Sequence, residues 1–442
     1  MSRFFFHIRF LPRLCCGSRV CLLAVAVARA GVVIERWQTP EGAQVQFVAL
    51  DALPILDVQI DFRAGSAFNP QDKAGLANLT RGMLTLGAAD LDETALANAL
   101  ADVGAALGGG ADEDRASLRL RTLSQPEKQE AALTVLEKVL RQPLFDAEIF
   151  ARERARSIAG LKDALTRPDT LASRAFRTAL YPGHPYGRLV TPESLATLEI
   201  ADVRAFWQRH YVAANAVITL VGNLSRAEAE ALAARLAIAM PQGEAVPFPE
   251  PELVIAAKTV NITHPAKQAH IYLGMPAIRR GDPDFFPLLV GNYTLGGGGF
   301  VSRLMEEVRE KRGFAYSVYS YFSPQRLEGP FQIGLQTQKE QAAEALRVTR
   351  AVLTDFLQTG PSAAELAAAK DNLAGSFPLR LDSNAKILEN VAVIGFYGLP
   401  ADYLDTYQAR VRAVTQAAVK AAFARHVQPE KFVTVTVGAP QE

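Results

Sequence analysis

Two stretches of this 442-residue chain share one pattern, and that duplication limits the folds open to it. His210–Gly222 aligns with His426–Gly438 without a gap, and the step from 210 to 426 is an offset of 216. Each copy runs from a histidine through a short turn into a β-rich run that closes on glycine. The match continues upstream, where Val203, Ala205 and Arg209 answer Val419, Ala421 and Arg425. Self-similarity on this scale marks a duplicated structural unit. Each unit spans about 200 residues, within the usual size of a domain.

Between the copies, Pro241, Pro247, Pro249 and Pro251 accompany Gly243. Proline lacks the N–H that a helix interior or a central strand needs, so this stretch reads as a linker. The chain then divides into a leader at 1–30, a first domain at 31–240, a linker at 241–252 and a second domain at 253–442. Within the first domain, Leu56, Val58, Ile60 and Phe62 alternate with Asp57, Gln59, Asp61 and Arg63. That alternation predicts a strand with one buried face and one wet face. Leu118 and Leu120 alternate with Arg119 and Arg121 in the same way. Leu96, Leu100, Val103 and Leu107 recur at helical spacing, as do Leu133, Leu136, Val139 and Leu140. Strands fall in neighbouring pairs rather than alternating strictly with helices, so the fold class is α+β rather than a doubly wound sheet.

The leader carries Arg3, Arg9, Arg13, Arg19 and Arg29 and no acidic residue. Without it, 42 basic residues face 46 acidic ones, a formal charge of −4 on a chain whose total is +1. That balance argues against general affinity for nucleic acid. The basic lead, the apolar run Val20–Val27 and the small-x-small sequence Ala28–Ala30 together read as an export signal. The expected location is periplasmic or secreted. A mitochondrial presequence, Arg-rich and acid-free, is the alternative. The apolar run is too short to span a bilayer, so no membrane span is expected in the mature chain. Cys15, Cys16 and Cys21 all lie in this leader, which leaves the rest without disulfides, thiolate metal sites or a cysteine nucleophile.

Gly75–Met83 has the frame of a His-x-x-Glu-His zinc helix, in which two histidines at i and i+4 hold the metal and the glutamate activates its water. Here the three chemical positions read Asn78, Arg81 and Gly82. Asparagine is a poor zinc ligand, arginine carries the wrong charge beside a cation, and glycine offers no side chain. Taken alone, the segment reads more readily as an ordinary capped core helix, and the zinc frame rests on the rest of the chain. The histidines outside the leader, His184, His210, His264, His270 and His426, form no i, i+3 or i, i+4 pair. His210 and His426 occupy equivalent repeat positions, which points to a shared structural role. The run Gly296–Gly299 lacks both the Gly-Lys-Ser/Thr ending of a phosphate loop and the pattern of a dinucleotide turn, so it reads as a point of close backbone or peptide approach. Gly108–Gly110 reads as a flexible loop before a strand at Ser117–Leu123.

Further signatures follow in order: His184–Gly187, Arg209–Tyr211 leading to Asn215 and Val221–Gly222, then Leu295–Leu304 and Val308–Ser317. Over residues 32–442 the chain resembles the pitrilysin-like zinc peptidases, the M16 group. That group includes the mitochondrial processing peptidase subunits and the core subunits of the cytochrome bc1 complex. The resemblance implies two homologous α/β-roll domains, a duplicated metallohydrolase fold with mostly antiparallel sheets and flanking helices. Active members add a glutamate ligand about 75 residues after the motif. Here it would fall within Ser157–Leu161, which has no carboxylate, with Glu153 and Asp163 only flanking it. The resemblance therefore implies no metal in this chain, with zinc expected in a partner subunit that keeps an intact His-x-x-Glu-His. It also implies an Arg and a Tyr seven residues apart that act on the zinc site from a later domain, and Arg309 and Tyr316 have that spacing. The expectation is a helix over Val301–Lys311 that stops at Gly313, with Tyr316 opening a strand over Ala315–Phe322. A purely structural role would instead set Arg309 against Glu306 and pack Tyr316 on a sheet. The implied function is the non-zinc subunit of a heterodimeric peptidase, inactive alone, closing a chamber around a peptide or unfolded polypeptide. The alternative is a non-catalytic scaffold or peptide-binding protein of the same fold.

Overall fold

The structure, a computed structural model, describes residues 31–440; the leader and its cysteines lie outside the described residues. Strands β1 (Glu35–Gln38), β2 (Gln44–Ala49), β3 (Ile55–Phe62), β4 (Ala106–Gly108), β5 (Ala116–Leu123) and β6 (Ala216–Gly222) make one sheet, ordered β1-β2-β6-β3-β5-β4. Strands β7 (Lys258–Ile262), β8 (Gln268–Ile278), β9 (Ala315–Phe322), β10 (Gly329–Gln338) and β11 (Val433–Val437) make the other, ordered β7-β11-β8-β10-β9. Apart from β1, the two orders correspond strand for strand. Each sheet has one parallel pair, β2 with β6 and β7 with β11, and is otherwise antiparallel. The offset of the sequence repeat carries Val217–Val221 of β6 onto Val433–Val437 of β11. The α+β reading holds, and so does the structural role of the repeated histidines. His210 Nδ1 lies 2.9 Å from the Arg63 carbonyl and His426 Nδ1 lies 2.9 Å from the Ala277 carbonyl. A carbonyl only accepts, so each ring donates, tying a helix end to the strand beside it.

The wet face expected on β3 is not wet. Asp57, Gln59 and Asp61 are 1%, 2% and 0% exposed. Their cover is the helix Asn384–Phe396, which comes from the other end of the chain. Gly395 passes so close that a Cβ there would lie 2.6 Å from Gln46 Cγ and 3.1 Å from Val217 Cγ1. The exchange is reciprocal. Helix Pro168–Leu180 of the first half packs Ala172, Phe176 and Leu180 on Val433, Val435 and Val437, and Phe176 stacks on Tyr272 at 5.7 Å. Between the sheets, buried Asp114 accepts hydrogen bonds from the Tyr186 hydroxyl, from the Tyr397 hydroxyl at 2.7 Å and from the Arg326 amide at 2.8 Å. Two of these three donors come from the second half.

Under the cover, the polar groups of the first sheet satisfy one another across β3 and β5. Arg121 grips Asp57 with two bonds of 2.7 and 2.9 Å, directly opposite in register. Arg119 donates twice to Gln59 Oε1, and the Gln59 amide donates to both oxygens of Asp61 at 2.9 Å. Arg115 Nη1 lies 3.2 Å from Asp61 but is not aligned for a hydrogen bond.

The halves differ after their last paired strands. In the first half, helix Arg226–Ala239 shares a core with Val45, Phe47, Ile218 and Leu220. Among the described residues no helix follows β11. The register-equivalent positions there are the polar Thr259, Asn261, Thr434 and Thr436, of which Thr434 is buried and accepts from Arg350 at 2.8 Å. Two smaller expectations also change. The helix reaching for Leu107 stops at Ala101, because Gly104 turns at φ +67° and Leu107 enters β4. Gly108–Gly110 is not a loose loop but runs alongside β5, with Gly108 opposite Arg119 and the Gly110 carbonyl accepting from the Ser117 amide, and Gly109 (φ +128°) would place a Cβ 2.1 Å from the Ser117 carbonyl.

Asp61 gives a testable pH signature. Burial pushes its carboxyl up to about 6, against the pull of Arg115. The folded state therefore holds a proton that the unfolded chain, with an ordinary value of about 4, has released. Stability should fall by about 2–3 kcal/mol as pH rises from about 4 to about 6, then level off. Denaturant titrations across that range check this, and Asp61→Asn should remove the slope.

Candidate functional site

The helix Leu76–Met83 starts at Gly75, whose φ of +104° suits glycine, and Asn69 Oδ1 accepts its Ala77 amide at 2.8 Å. Leu76, Ala77, Leu79, Thr80 and Met83 face the core. Asn78 and Gly82, four residues apart, are exposed on one face and line a cavity of about 500 Å³. The far wall is helix Ala147–Ala164, which presents Glu153, Ser157 and Leu161 at four-residue intervals. The two histidine positions and the third-ligand segment therefore meet at one cavity, as the zinc frame requires. What they present is an amide, a bare backbone and a hydroxyl. Of the other lining residues, Glu113 is ion-paired with Arg177 and Glu153 with Arg152, and Arg188 adds a positive charge. This donor set does not fit zinc, which takes His, Cys and carboxylate ligands in a closed tetrahedron.

Arg81 stands where the motif has its glutamate, yet it does not line the cavity. It is 7% exposed, and its Nε donates to the Ser117 carbonyl at 2.8 Å. Its Nη2 has no hydrogen-bond partner and sits 2.8 Å from where a Cβ on Gly109 would be. Burial without a carboxylate lowers its pKa. The expected clash of arginine with a bound cation therefore does not arise. Arg81 has turned inward and braces the helix against the β4–β5 hairpin.

Arg309 and Tyr316 meet in the second half. The Arg309 guanidinium lies 5.2 Å from the Tyr316 ring centre and 4.8 Å from that of Phe300. Tyr316 is 80% exposed on edge strand β9, which spans the expected residues, and Gly313 turns at φ +65° as expected of a helix stop. The segment before it is not a plain helix. Gly299–Val301 forms a 3₁₀ turn, and over Met305–Glu310 the coil widens, with the Lys311 amide bonding the Glu306 carbonyl five residues back. Such wide turns occur disproportionately at functional sites. The purely structural alternative does not match the contacts. Glu306 pairs with Lys311 at 2.9 Å, Arg309 approaches only Glu310 at 3.5 Å, and Tyr316 points to solvent. Gly296, Gly297 and Gly299 line the same cavity of about 440 Å³ as Arg309 and Tyr316. At Gly296 a Cβ would lie 2.6 Å from the Ser320 amide, and at Gly298 it would lie 2.6 Å from the Tyr293 carbonyl, so backbone passes backbone closely there.

Residue spacing gives no sign of one cluster. Asp282, Asp284 and His426 bring their ligand-type atoms within 4.8 Å of one another, although the acids precede the histidine by about 140 residues. His426 Nε2 lies 3.0 Å from Asp284, whose two oxygens Arg425 already holds at 2.7 and 2.8 Å. The group is an ion-paired helix end. Its counterpart His210 is packed instead on Phe206 and Phe68, and burial pushes its pKa down to about 4.

Residues 53–191 match the family model described as insulinase (peptidase family M16), and residues 197–373 match the one described as peptidase M16 inactive domain. The crystal structure of a peptidase M16 inactive domain from Pseudomonas fluorescens superposes with a TM-score of 0.88 at 38% identity, over 92% of this chain and 98% of that one. The chain belongs to the M16 peptidase family. Similar M16 sequences include the non-peptidase homolog YmxG of Helicobacter pylori, 27% identical over 80% of this chain and 82% of its own. The uncharacterized zinc protease YmxG of Bacillus subtilis is 24% identical over 81% and 87%. The kinship with inactive M16 domains agrees with a chain that has no peptidase site of its own. No helix among the described residues is long and apolar enough to cross a membrane.

If the three ligand positions converge as described, chemistry alone separates this cavity from a zinc site. Asn78→His with Gly82→His and Ser157→Glu should bind about one Zn²⁺ per chain by isothermal titration, while the parent chain binds none there. Failure of the triple variant to bind zinc while folded would show that the positions do not converge.

Proposed function

We propose that this M16 chain is the non-zinc subunit of a heterodimeric metallopeptidase. The partner, an M16 subunit with an intact His-x-x-Glu-His, supplies the zinc and the general-base glutamate that activates its water. This chain closes the chamber and contributes Arg309 and Tyr316 to the partner's site. The substrate is a peptide or unfolded polypeptide held extended. The leader supports assembly in the periplasm or outside the cell.

The observation that carries the reading is the state of the Arg309–Tyr316 pair. Both side chains line an open cavity, the tyrosine is largely exposed, and among the described residues the side-chain donors of the pair meet only Glu310, 3.5 Å from Arg309. Their cavity shares no lining residue with the vacated zinc cavity, so the pair is not arranged to serve its own chain's site. A neutral hydroxyl and a fixed fork of guanidinium donors suit the oxyanion that develops when water attacks a peptide carbonyl.

The chain should be purified alone and with a His-x-x-Glu-His homologue encoded beside it, and cleavage of a quenched peptide measured. The isolated chain should be inactive and the pair active. In the pair, Arg309→Ala and Tyr316→Phe should each lower kcat by about 10²-fold, the size of losing one oxyanion donor, with zinc content unchanged. Cleavage by the isolated chain would overturn the proposal. Unchanged rates in the variants would leave a scaffold or peptide-binding role.

A further inference from the structure

A third cavity, of about 390 Å³, lies where helix Pro168–Leu180 of the first half crosses the second sheet. Aromatic rings form much of its wall. Phe176 stacks on Tyr272 there, and Tyr319 stacks on Tyr321 with centres 5.9 Å apart and planes 8° from parallel. Gly334, opposite Tyr319 in register, makes room for this wall, since a Cβ there would lie 2.5 Å from the Tyr319 ring. Tyr319 and Tyr321 also line the cavity that holds Arg309 and Tyr316, so the two cavities share a wall.

The polar groups of this cavity are unevenly paired. Its one acidic lining residue, Glu113, is taken up by Arg177 and accepts from the Gln325 amide at 2.7 Å. Arg174 has no carboxylate among the described residues. Its Nη2 donates to the Val190 carbonyl at 2.5 Å, and its other N–H groups have no acceptor there. Burial lowers its pKa, with no acid beside it to raise it. Gln332 is only 9% exposed, yet its side-chain amide makes no hydrogen bond among the described residues. Gln325 Oε1 is buried without a donor. Buried amide groups in native proteins are paired in the great majority of cases, so two in one cavity point to partners from outside the chain. An arginine without a carboxylate is not enough by itself. Arg63, Arg188 and Arg350 line three other cavities, but no described side-chain amide there is both buried and without any hydrogen bond, as Gln332 is.

The unpaired groups define the chemistry of what they meet. The Arg174 guanidinium and the Gln332 amide nitrogen donate, while Gln325 Oε1 only accepts. A carboxylate accepts from both donors, and the peptide N–H beside it donates to the free oxygen. Arg174 repels a cation, and an uncharged ligand would leave its charge without a counter-ion. We infer that this cavity binds a carboxylate of the polypeptide substrate, either a C-terminal group or an acidic side chain, with Arg174 and Gln332 donating to it and Gln325 accepting from the neighbouring peptide N–H. Because the tyrosine wall is shared, a peptide anchored here lies next to Arg309 and Tyr316. The inference rests on the polypeptide-handling role proposed above and names the chemical group that this chain selects.

The test uses the full chain and four N-terminally labelled Ser/Ala/Phe peptides. One is neutral with a free C-terminus, one is its amidated form, and two are amidated with a single internal Asp or Lys. At least one of the two carboxylate-bearing peptides should bind about 10-fold or more tighter than the neutral amidated and Lys peptides, the size of a charge-assisted hydrogen bond. Which of the two binds separates a C-terminal group from an acidic side chain. Arg174→Met should abolish the preference. Gln332→Leu should weaken it and raise the melting temperature, because an apolar group of similar size replaces an unpaired buried amide; this variant carries the test should Arg174→Met fold poorly. Equal binding of all four peptides, tightest binding of the Lys peptide, or an unaltered preference in both variants would each overturn the carboxylate site and leave the subunit role standing. Absence of any peptide binding would overturn it as well, and cleavage by the pair then decides the subunit role separately. A carboxylate preference in a chain whose Arg309→Ala variant leaves cleavage by the pair unchanged would keep the site and remove the catalytic contribution.

Discussion

The structure depends on each half covering one face of the other's sheet, a polar face in the first sheet and an apolar one in the second. Asp57, Gln59 and Asp61 stay inside under helix Asn384–Phe396, with Asp57 held by Arg121, Gln59 by Arg119 and Asp61 by the Gln59 amide. Helix Pro168–Leu180 returns the cover on the second sheet. Asp114 fixes the arrangement, because a buried carboxylate left without its donors would cost far more than the bonds it makes. Neither sheet is complete without residues from the far end of the sequence.

That dependence explains what the sequence could reveal. The repeat maps β6 onto β11 residue for residue, and β9 and the Gly313 stop follow from local pattern and turn chemistry. The burial of Asp57 and Asp61 does not, because alternation reports two unlike faces and says nothing of a helix arriving more than 300 residues later. Arg81 misleads for a related reason. Its place in the motif suggests a side chain at the metal, and only the tertiary structure shows the Ser117 carbonyl and the space left by Gly109 that draw it inward.

The site was legible as a frame and not as a pocket. Asn78, Gly82 and the Ser157–Leu161 segment converge as the family motif requires, so the geometry of a zinc site has outlived its chemistry. With no ligand to hold, the lining is free to become apolar. The second half keeps the opposite: Arg309 and Tyr316 retain donor chemistry and point outward, with no metal of their own chain to address. The empty frame in one half and the outward-facing donors in the other are the basis of the proposal that this chain forms one side of a two-chain site.

The most direct measurement places a photo-crosslinking amino acid at Tyr316 in the complex with a His-x-x-Glu-His partner and maps the product by mass spectrometry. The account expects the crosslink in the partner's zinc-motif helix or in the bound peptide. A crosslink confined to this chain's own Gly296–Val301 segment would contradict it.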